Sequence, residues 1–471
     1  MQIDSQLTPA ALTTQTQKVL QLGADKARLI DQTWDTGQGT PVFTVEGKYA
    51  TRGWTEWTQG FQYGCMILAG DGLGDDALID LGRARTTELM LPHVTHIGVH
   101  DHGFNNLSTY GNLLRLHREG RLGDNAWEAK YYEQLIAASG AIQAARWQGT
   151  PAPPEDDRGD IAGASQLGYV YSFNGPHSLF IDTMRTIRIM GVAHQLGHTL
   201  MHEGDRSANL LKRSVLHGLT TSKYIVFHGD SEHTYDVPGR TAHEGMFNRN
   251  DGAFRARSTQ QGYSPFSTWT RGLAWAMCGY SEELEFFDTL SDEDFRGATG
   301  LDKAAVVKVY ERNAIETCDH YINDVSTSDG ITYWDDGTPD LHKLGDWQNK
   351  PADPYNDHEP VDASASAIAA QGMIRLGNYL NASGRDGAKY IAAGLSVAKT
   401  LFDEPYLSTE ADHQGLLLHS IYHWPNHWDH VPAGSQVSHS ESSLWGDYHL
   451  LELTLLIQRM AKNEPYLKFF L

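Results

Sequence analysis

Apolar residues recur every three to four positions through most of the chain, which is the spacing that one buried face of an α-helix requires. In the first such segment, Leu12 is followed at helical intervals by Val19 and Leu20. About twelve segments share the pattern, and they predict helices at 8–31, 56–69, 75–91, 105–118, 125–147, 179–200, 208–223, from 269 onward, 292–325, 364–380, 386–402 and 443–460.

Only short strand-like pieces lie between these segments, such as GYVYSF at 168–173 and a hairpin that turns at Asn250-Asp251-Gly252. No repeat of fixed period is visible, which disfavours a solenoid. We therefore predict an all-α protein, an (α/α)6 barrel formed by one catalytic domain over residues 1–471. In such a barrel an inner ring of helices carries the apolar core, and polar loops with small β-hairpins gather at the active-site mouth.

The charge balance excludes some classes of partner. The chain has 37 basic and 59 acidic residues, a net charge of -22, which argues against a nucleic-acid surface or a polybasic membrane anchor. The three cysteines, Cys65, Cys278 and Cys318, are far apart and form no CxxC motif, so neither a disulfide framework nor a cysteine zinc site is expected. The N-terminal segment lacks the features of a signal peptide. We expect a cytoplasmic protein, or a periplasmic one if a leader has been removed.

The segment QGYSPFSTWTRGLAWAMCGY at 261–280 combines a helix start with two tryptophans and an arginine. Trp269, Arg271 and Trp275 fall in the first turns of the predicted helix, so a guanidinium is flanked by aromatic faces of the kind that stack on sugar rings. The combination suits an anionic carbohydrate. The alternative is a tryptophan-rich core helix with a surface arginine.

Two aspartates are candidates for acid–base chemistry. Asp182 follows three apolar residues, and such surroundings would disfavour its charged form and keep a general acid protonated near neutral pH. Asp101, in the segment His100-Asp101-His102, precedes a predicted helix. The alternatives are an N-cap for Asp101 and a paired carboxylate at a helix N-terminus for Asp182. Two aspartates with an aromatic-rich pocket make glycoside chemistry the first hypothesis.

The histidines indicate a metal site only weakly. His194, His198 and His202 recur every four residues, but the pattern is not HExxH and the chain holds 23 histidines in all. The loop HWPNHWDH at 423–430 is also rich in histidine. We expect this loop to shape the mouth of the site and expect no metal.

Longer motifs follow one another along the chain: VHDHGF, FIDTM, TQQGYSPFSTWTRGLAWAMCGY, ITYWDD, VDASASAIAAQG, GLLLHSIYHW and SSLWGDYHLLEL. In this order they resemble the unsaturated glucuronyl hydrolases, glycoside hydrolase family 88, over nearly the whole chain after about Ala50. The resemblance implies an (α/α)6 barrel with no metal or other cofactor. It also implies removal of a 4,5-unsaturated uronic acid from the non-reducing end of a lyase-generated oligosaccharide, by a monomer or homodimer.

The resemblance assigns roles to individual residues. Asp182 falls on the catalytic acid/base of the family and Asp101 on a second acidic residue that holds the sugar. The remaining matches are to residues that contact the substrate: Trp57, His100, His243, Gln261, Trp269, Arg271 and Trp275. The chain departs from the family at Leu273, which replaces a glutamine, and in longer segments at 149–163, 230–240 and 423–434. These changes lie where the leaving sugar would be held, so they bear on the substrate more than on the reaction.

The expected chemistry starts at the enol ether of the unsaturated sugar. Its C4 is nucleophilic, so Asp182 can protonate C4 while positive charge develops at C5, where water then adds. We expect Asp101 and His243 to hold the ring hydroxyls, and Arg271 with His243 to form a local positive patch for the carboxylate.

Three other interpretations are open. One is a hydrolase on the same barrel that takes an unsaturated galacturonyl group from rhamnogalacturonan fragments. Another is an ordinary glycosidase that attacks C1, and the last is a sugar-binding module without catalysis.

Overall fold

The structure is a computed structural model that describes residues 1–53, 56–465 and 468–470. Twelve long helices dominate these ranges. They are α1 (Thr13–Thr33), α2 (Gln59–Leu73), α3 (Asp76–Leu89), α4 (102–118), α5 (Ala126–Ala145), α6 (183–195), α7 (Leu210–Tyr224), α8 (Thr270–Phe287), α9 (Lys303–His320), α10 (Ala363–Ala382), α11 (Ala388–Leu401) and α12 (Leu444–Lys462). Helix α4 includes a π-helical turn at Leu107–Gly111, and α6 comprises Thr183–Thr186 and Arg188–Gln195.

The even-numbered helices form an inner ring and the odd-numbered helices an outer one. Each inner helix contacts the next, and α12 returns to α2, which closes the ring. All residues of α8 are buried, whereas α1 buries one face only, as the positions of the two helices in the rings require. The predicted all-α barrel is therefore confirmed. Within the described ranges, none of the helices combines the length and hydrophobicity that a membrane-crossing segment needs.

The sequence marks many of the helix starts. Side-chain oxygens accept hydrogen bonds from backbone N–H groups in the first turns of six of these helices, which satisfies donors that a helix leaves unpaired. The capping residues are Asp75, Asn125, Asn209, Asp302, Asp362 and Ser443.

Glycines bring neighbouring inner helices into backbone contact. A Cβ atom added at Gly103 in α4 would lie 2.1 Å from the carbonyl oxygen of Thr186 in α6. A Cβ atom at Gly279 in α8 would lie 2.4 Å from the carbonyl oxygen of Met184, also in α6. Because these contacts are to backbone and not to a mobile side chain, they fix the spacing of α4, α6 and α8.

Short antiparallel sheets connect the helices. Strand β1 (Phe43–Val45) pairs with β2 (Lys48–Ala50), β3 (Trp147–Pro151) with β4 (Gln166–Val170), and β6 (Leu200–Met201) with β7 (Ser207–Ala208). A three-stranded sheet has the order β5 (Ser178–Phe180), β8 (Glu244–Phe247), β9 (Phe254–Ser258). Strand β5 leads into Asp182 and β9 leads toward Gln261, so this sheet positions two predicted site residues. The predicted hairpin is the pair β8 and β9.

Two predicted helices differ from the structure. The segment predicted at 179–200 begins as strand β5, and its helix runs only from Thr183 to Gln195. An apolar run as short as that of β5 does not distinguish a buried strand from a helix. The segment predicted at 292–325 contains a short helix, Asp292–Thr299, which ends at Gly300 with a φ of 77° before α9 begins.

The glycine contact between α4 and α6 gives a test of this packing. Replacing Gly103 by Ala should lower the free energy of unfolding by about 1–3 kcal/mol or more, because the methyl group meets backbone. Urea unfolding would measure the change.

Gly297→Ala is the matched control, because a Cβ there meets nothing within 4 Å. That change should stabilise the protein by about 0.5–1 kcal/mol. Equal effects of the two substitutions would contradict the proposed contact.

Candidate active site

A cavity of 510 Å³ opens where the N-terminal ends of the inner helices meet. Eight of the nine predicted site residues line it: Trp57, His100, Asp101, Asp182, Gln261, Trp269, Arg271 and Trp275. Seven of them lie just before or within the first turns of α2, α4, α6 and α8, and Gln261 lies on the segment between β9 and α8. The inner helices thus bring together residues that are more than 200 positions apart in the chain.

Asp101 and Asp182 occupy equivalent positions at the starts of α4 and α6. Each is the N-cap residue of its helix, yet neither side chain makes a capping hydrogen bond. Both carboxylates instead face His100, whose Nε2 lies 3.0 Å from Asp182 Oδ1 and 3.9 Å from Asp101 Oδ1. The capping alternative for Asp101 is therefore excluded, and the two carboxylates and the imidazole form one buried acid–base cluster.

The electrostatics of this cluster correct the expected protonation of Asp182. Burial alone would raise the pKa of Asp182, but the charge and hydrogen bond of His100 outweigh it and lower that pKa. Burial raises the pKa of Asp101, although His100 opposes this shift. Burial disfavours the cation of His100, but Asp101 and Asp182 together raise its pKa. The two directions favour an ionised Asp182 beside a protonated His100, contrary to the expectation from the apolar residues before Asp182.

His243 does not line the cavity and lies behind it, against the rings of Phe180 and Trp269, at centroid distances of 4.4 and 4.8 Å. Its Nδ1 accepts hydrogen bonds from the backbone N–H groups of Gln260 and Gln261, at 2.9 and 3.3 Å. Burial lowers its pKa to about 3, so the ring is neutral. The expectation that His243 contributes positive charge is wrong.

Arg271 lines the cavity, but its guanidinium is already bound within the protein. Nη1 lies 2.7 Å from Asp362 Oδ2 and also donates to the carbonyl of Ile421. Nη2 donates to the carbonyl of Tyr422 at 2.6 Å and to Gln261 Oε1 at 3.0 Å. With all four terminal N–H groups engaged and the charge paired, Arg271 is not the free cation that the sequence indicated.

The tryptophans make a continuous aromatic wall. Trp57 stacks on Trp445 at a centroid distance of 5.1 Å, and its Nε1 donates to the hydroxyl of Tyr422 at 3.4 Å. Trp275 packs against Phe104 at 4.8 Å, and the guanidinium of Arg271 lies over Trp269 at 4.8 Å. Rings fixed in this way offer flat apolar faces to a sugar without having to be ordered on binding.

Sequence reasoning missed several cavity residues on loops. They are His96, Phe173 and Tyr422, together with Phe180 at the end of β5. His423, Asn426 and Trp428 also line the cavity, and they belong to the loop HWPNHWDH. The expectation that the loop at 423–430 shapes the mouth is confirmed. Half-buried Asp429 holds this loop by accepting hydrogen bonds from the N–H groups of Tyr422 and His423 at 2.5 and 2.9 Å, and desolvation of its carboxyl group raises its pKa to about 6. The histidine- and tryptophan-rich composition of the loop was the only feature of the sequence that indicated its place at the mouth of the cavity.

The regularly spaced histidines do not share a helix face. Helix α6 ends at Gln195, so only His194 of the three lies on it, and His202 accepts a hydrogen bond from Arg213 at 2.6 Å. No group of three or more His, Cys, Asp or Glu residues in the described part of the chain is arranged to hold a metal ion.

Sequence comparison identifies the relatives of this chain. It is 26% identical over 421 residues to an unsaturated chondroitin disaccharide hydrolase from Streptococcus pyogenes serotype M1, with 88% of this chain and 84% of the relative covered. It is 24% identical over 420 residues to an unsaturated glucuronyl hydrolase from Bacillus sp. (strain GL1), with 88% and 89% covered. The chain is thus similar to unsaturated glucuronyl and chondroitin disaccharide hydrolases over most of its length.

A structural comparison identifies proteins of the same fold. The solved structure of an unsaturated glucuronyl hydrolase specific for heparin matches with a TM-score of 0.67 at 18% identity, covering 96% of this chain and 98% of that one. No protein-family model matches the chain. The structural likeness shows that this chain has the expected α/α-barrel fold.

The pairing of Arg271 predicts a stability effect of its removal. Arg271→Ala would leave Asp362 buried without its cation, so the free energy of unfolding should fall by about 3–5 kcal/mol. Urea unfolding followed by circular dichroism would measure this change.

Gln261→Ala is the control, because Gln261 lines the same cavity and bonds the same guanidinium but carries no charge. This substitution should lower the free energy of unfolding by about 1 kcal/mol or less. If Arg271→Ala kept full stability and lost only activity, the expectation that Arg271 belongs to a positive patch for the substrate carboxylate would be supported instead.

Proposed function

We propose that the protein is an exo-acting hydrolase that removes a 4,5-unsaturated glucuronyl residue from the non-reducing end of lyase-generated oligosaccharides. The observation that carries this proposal is the pair of buried carboxylates, Asp101 and Asp182, which share His100 beside an aromatic-lined cavity. The activities named for the two sequence relatives support the same substrate class.

The cavity is suited to an anionic sugar despite the net charge of -22. The N-terminal ends of α4, α6 and α8 meet at it, and each contributes partial positive charge. The described residues lining the cavity include only two carboxylates, Asp101 and Asp182, and both are neighbours of the His100 cation. The aromatic wall stacks on the sugar, and these positive groups offset the charge of its carboxylate.

His100 and Asp182 together deliver the proton to C4. The scheme starts with the proton on His100 Nε2, which lies 3.0 Å from Asp182 Oδ1. Substrate displaces solvent from the cavity, which disfavours the separated charges of the ion pair, so the proton passes to Asp182. Asp182 then protonates C4, the electron pair of the C4–C5 double bond forms the new C–H bond, and positive charge develops at C5 and the ring oxygen.

Water completes the reaction at C5. Ionised Asp182 accepts a proton from the water that adds to C5, and this regenerates the acid. The hemiketal opens to a ketone at C5, and the hemiacetal left at C1 then releases the leaving sugar as an alcohol. Asp101 holds the ring hydroxyls in this scheme, and His243 positions the backbone of Gln260 and Gln261.

A substrate panel tests the proposal. Unsaturated disaccharides from chondroitin, hyaluronan, heparin, xanthan and ulvan would be incubated with the protein, and loss of the ultraviolet band of the conjugated double bond would be followed. Turnover in deuterated water should place one deuterium stereospecifically at C4, with the keto-acid product incubated alone as the control for exchange. Saturated disaccharides of the same linkage should not be cleaved.

Other outcomes would identify the alternative enzymes. Cleavage of saturated glycosides, or product without deuterium at C4, would mean attack at C1. Turnover restricted to unsaturated galacturonyl-rhamnose would assign the protein to rhamnogalacturonan fragments.

Asp182→Asn should separate chemistry from binding. The substitution keeps the size of the side chain but removes the proton carrier, so kcat should fall by several orders of magnitude while the dissociation constant of an unsaturated disaccharide changes little. Rapid-quench kinetics and calorimetry would measure the two quantities.

Asp101→Asn is the companion variant, and its larger effect should be on binding. If the two effects were reversed, with Asp101→Asn abolishing turnover and Asp182→Asn weakening binding, the assigned roles would be exchanged.

A further inference from the structure

Arg146 lies beside the cavity, buried at the C-terminal end of α5, and its guanidinium bridges two loops. Nε donates to the carbonyl of Tyr171 at 3.1 Å and Nη2 to the carbonyl of Ser172 at 2.5 Å. Nη1 donates to the carbonyl of Ile97. One side chain therefore joins the loop before His100 to the loop after β4.

Both of these loops form the cavity wall. The first contributes Gly98, Val99 and His100, and the second contributes Phe173, whose ring is stacked near that of His100 at a centroid distance of 6.3 Å. The guanidinium of Arg146 also lies over the ring of Tyr171 at 4.3 Å. The position of His100 relative to the second loop thus depends on the contacts of Arg146.

The charge of Arg146 is not neutralised by an ion pair. Among the described residues, no carboxylate lies within 4.0 Å of its guanidinium, and its hydrogen-bond partners are all neutral carbonyls. This contrasts with Arg271, whose charge is paired with Asp362. A buried cation without a counter-ion acts on neighbouring charges through a medium of low dielectric constant, where its effect is large.

We propose that Arg146 is a positioning residue that holds the two loops together and supplies the fixed positive charge beside the His100–Asp101–Asp182 cluster. The inference rests on the proposed function, because it gives the anionic sugar a cation that Arg271 and His243 do not provide. It assigns to Arg146 two separable effects, one on the geometry of the wall and one on the titration of the cluster.

The titration effect has a defined sign. Burial raises the pKa of Asp101, and the charges of Asp101 and Asp182 raise that of His100 against the effect of its own burial. The positive charge of Arg146 opposes both rises, because it favours the deprotonated forms. The other titratable or charged groups beside the cluster are Arg271, His96, His102, His217, His243 and Tyr422. Burial lowers the pKa of His102, His217 and His243 to about 3 and raises that of Tyr422 to about 12, so none of these four changes charge near neutral pH.

Two variants separate the effects. Arg146→Gln removes the charge, and Arg146→Lys keeps the charge but cannot make the planar set of contacts. Each would be assayed for kcat and KM from acid to alkaline pH on the unsaturated disaccharide that the wild type uses best. The series would be repeated with His96→Gln in every protein, so that a contribution from that histidine is removed.

Arg146→Gln should move both limbs of the pH profile of kcat/KM upward by about one unit, which lowers kcat/KM at the acid limb about tenfold. Arg146→Lys should leave the limbs in place and raise KM several-fold. The control is Arg213→Gln, which removes a half-buried guanidinium that bonds Ala144 and His202 and contacts neither loop. It should change neither the limbs nor KM.

Each outcome decides a part of the proposal. Unmoved limbs in a folded Arg146→Gln protein would overturn the electrostatic role, and an unchanged KM in Arg146→Lys would overturn the positioning role. If Arg146→Gln does not fold, Arg146→Lys still tests the proposal. A shift of either limb of the pH profile of kcat/KM in that variant would contradict it. Absence of turnover by the wild type would refute the proposed function itself, and normal turnover with unaffected variants would refute only this inference.

Discussion

A network of buried ion pairs inside the barrel links the helices of its inner ring. Arg185 of α6 lies 3.0 Å from Glu282 of α8 and 2.7 Å from Glu452 of α12. Arg188 joins Glu282 at 2.8 Å, and Arg375 of α10 joins Glu285 at 2.9 Å. Three arginines and three glutamates therefore balance one another across four of the six inner helices.

Such a network constrains assembly more than it adds to stability. A buried ion pair gains little over well-packed apolar residues, but a single buried charge without its partner is strongly unfavourable. We infer that α6, α8, α10 and α12 must come together for any one of them to be stable. Because Arg185 lies one turn beyond Asp182 on α6, the same network fixes the helix that carries the proposed acid. The candidate active site therefore shares α6 with a buried ion-pair network, in which burial raises the pKa of Glu282 to about 7 although Arg185 and Arg375 oppose this shift.

The sequence predicted the helices well because helical periodicity is a local property, and it located most of the cavity because Asp101, Asp182, Trp269 and Arg271 lie at helix starts. It did not predict their electrostatic states. The ionisation of Asp182 is set by His100, which is 82 positions away, and the charge of Arg271 is paired with Asp362, which is 91 positions away. Periodicity also failed at β5 and at Gly300, where pairing with β8 and a positive φ outweighed the apolar pattern. The predictions that were wrong concern features that a local pattern does not contain. Most depend on a partner distant in the chain, and the helix end at Gly300 depends on a positive φ.

The contact of Gly103 with the backbone of Thr186 has a consequence for how such a barrel can diversify. Asp101 lies two residues before Gly103 and Asp182 four residues before Thr186, so the spacing of the two carboxylates is set by a backbone contact and not by the loops around them. The loop at 423–430, by contrast, contributes to the cavity through side chains on an irregular segment held by Asp429. Changes in such a loop can alter which neighbouring sugar is accepted while the distance between the reacting groups stays the same. Substitutions in this loop can therefore change substrate preference while the spacing of Asp101 and Asp182 is kept.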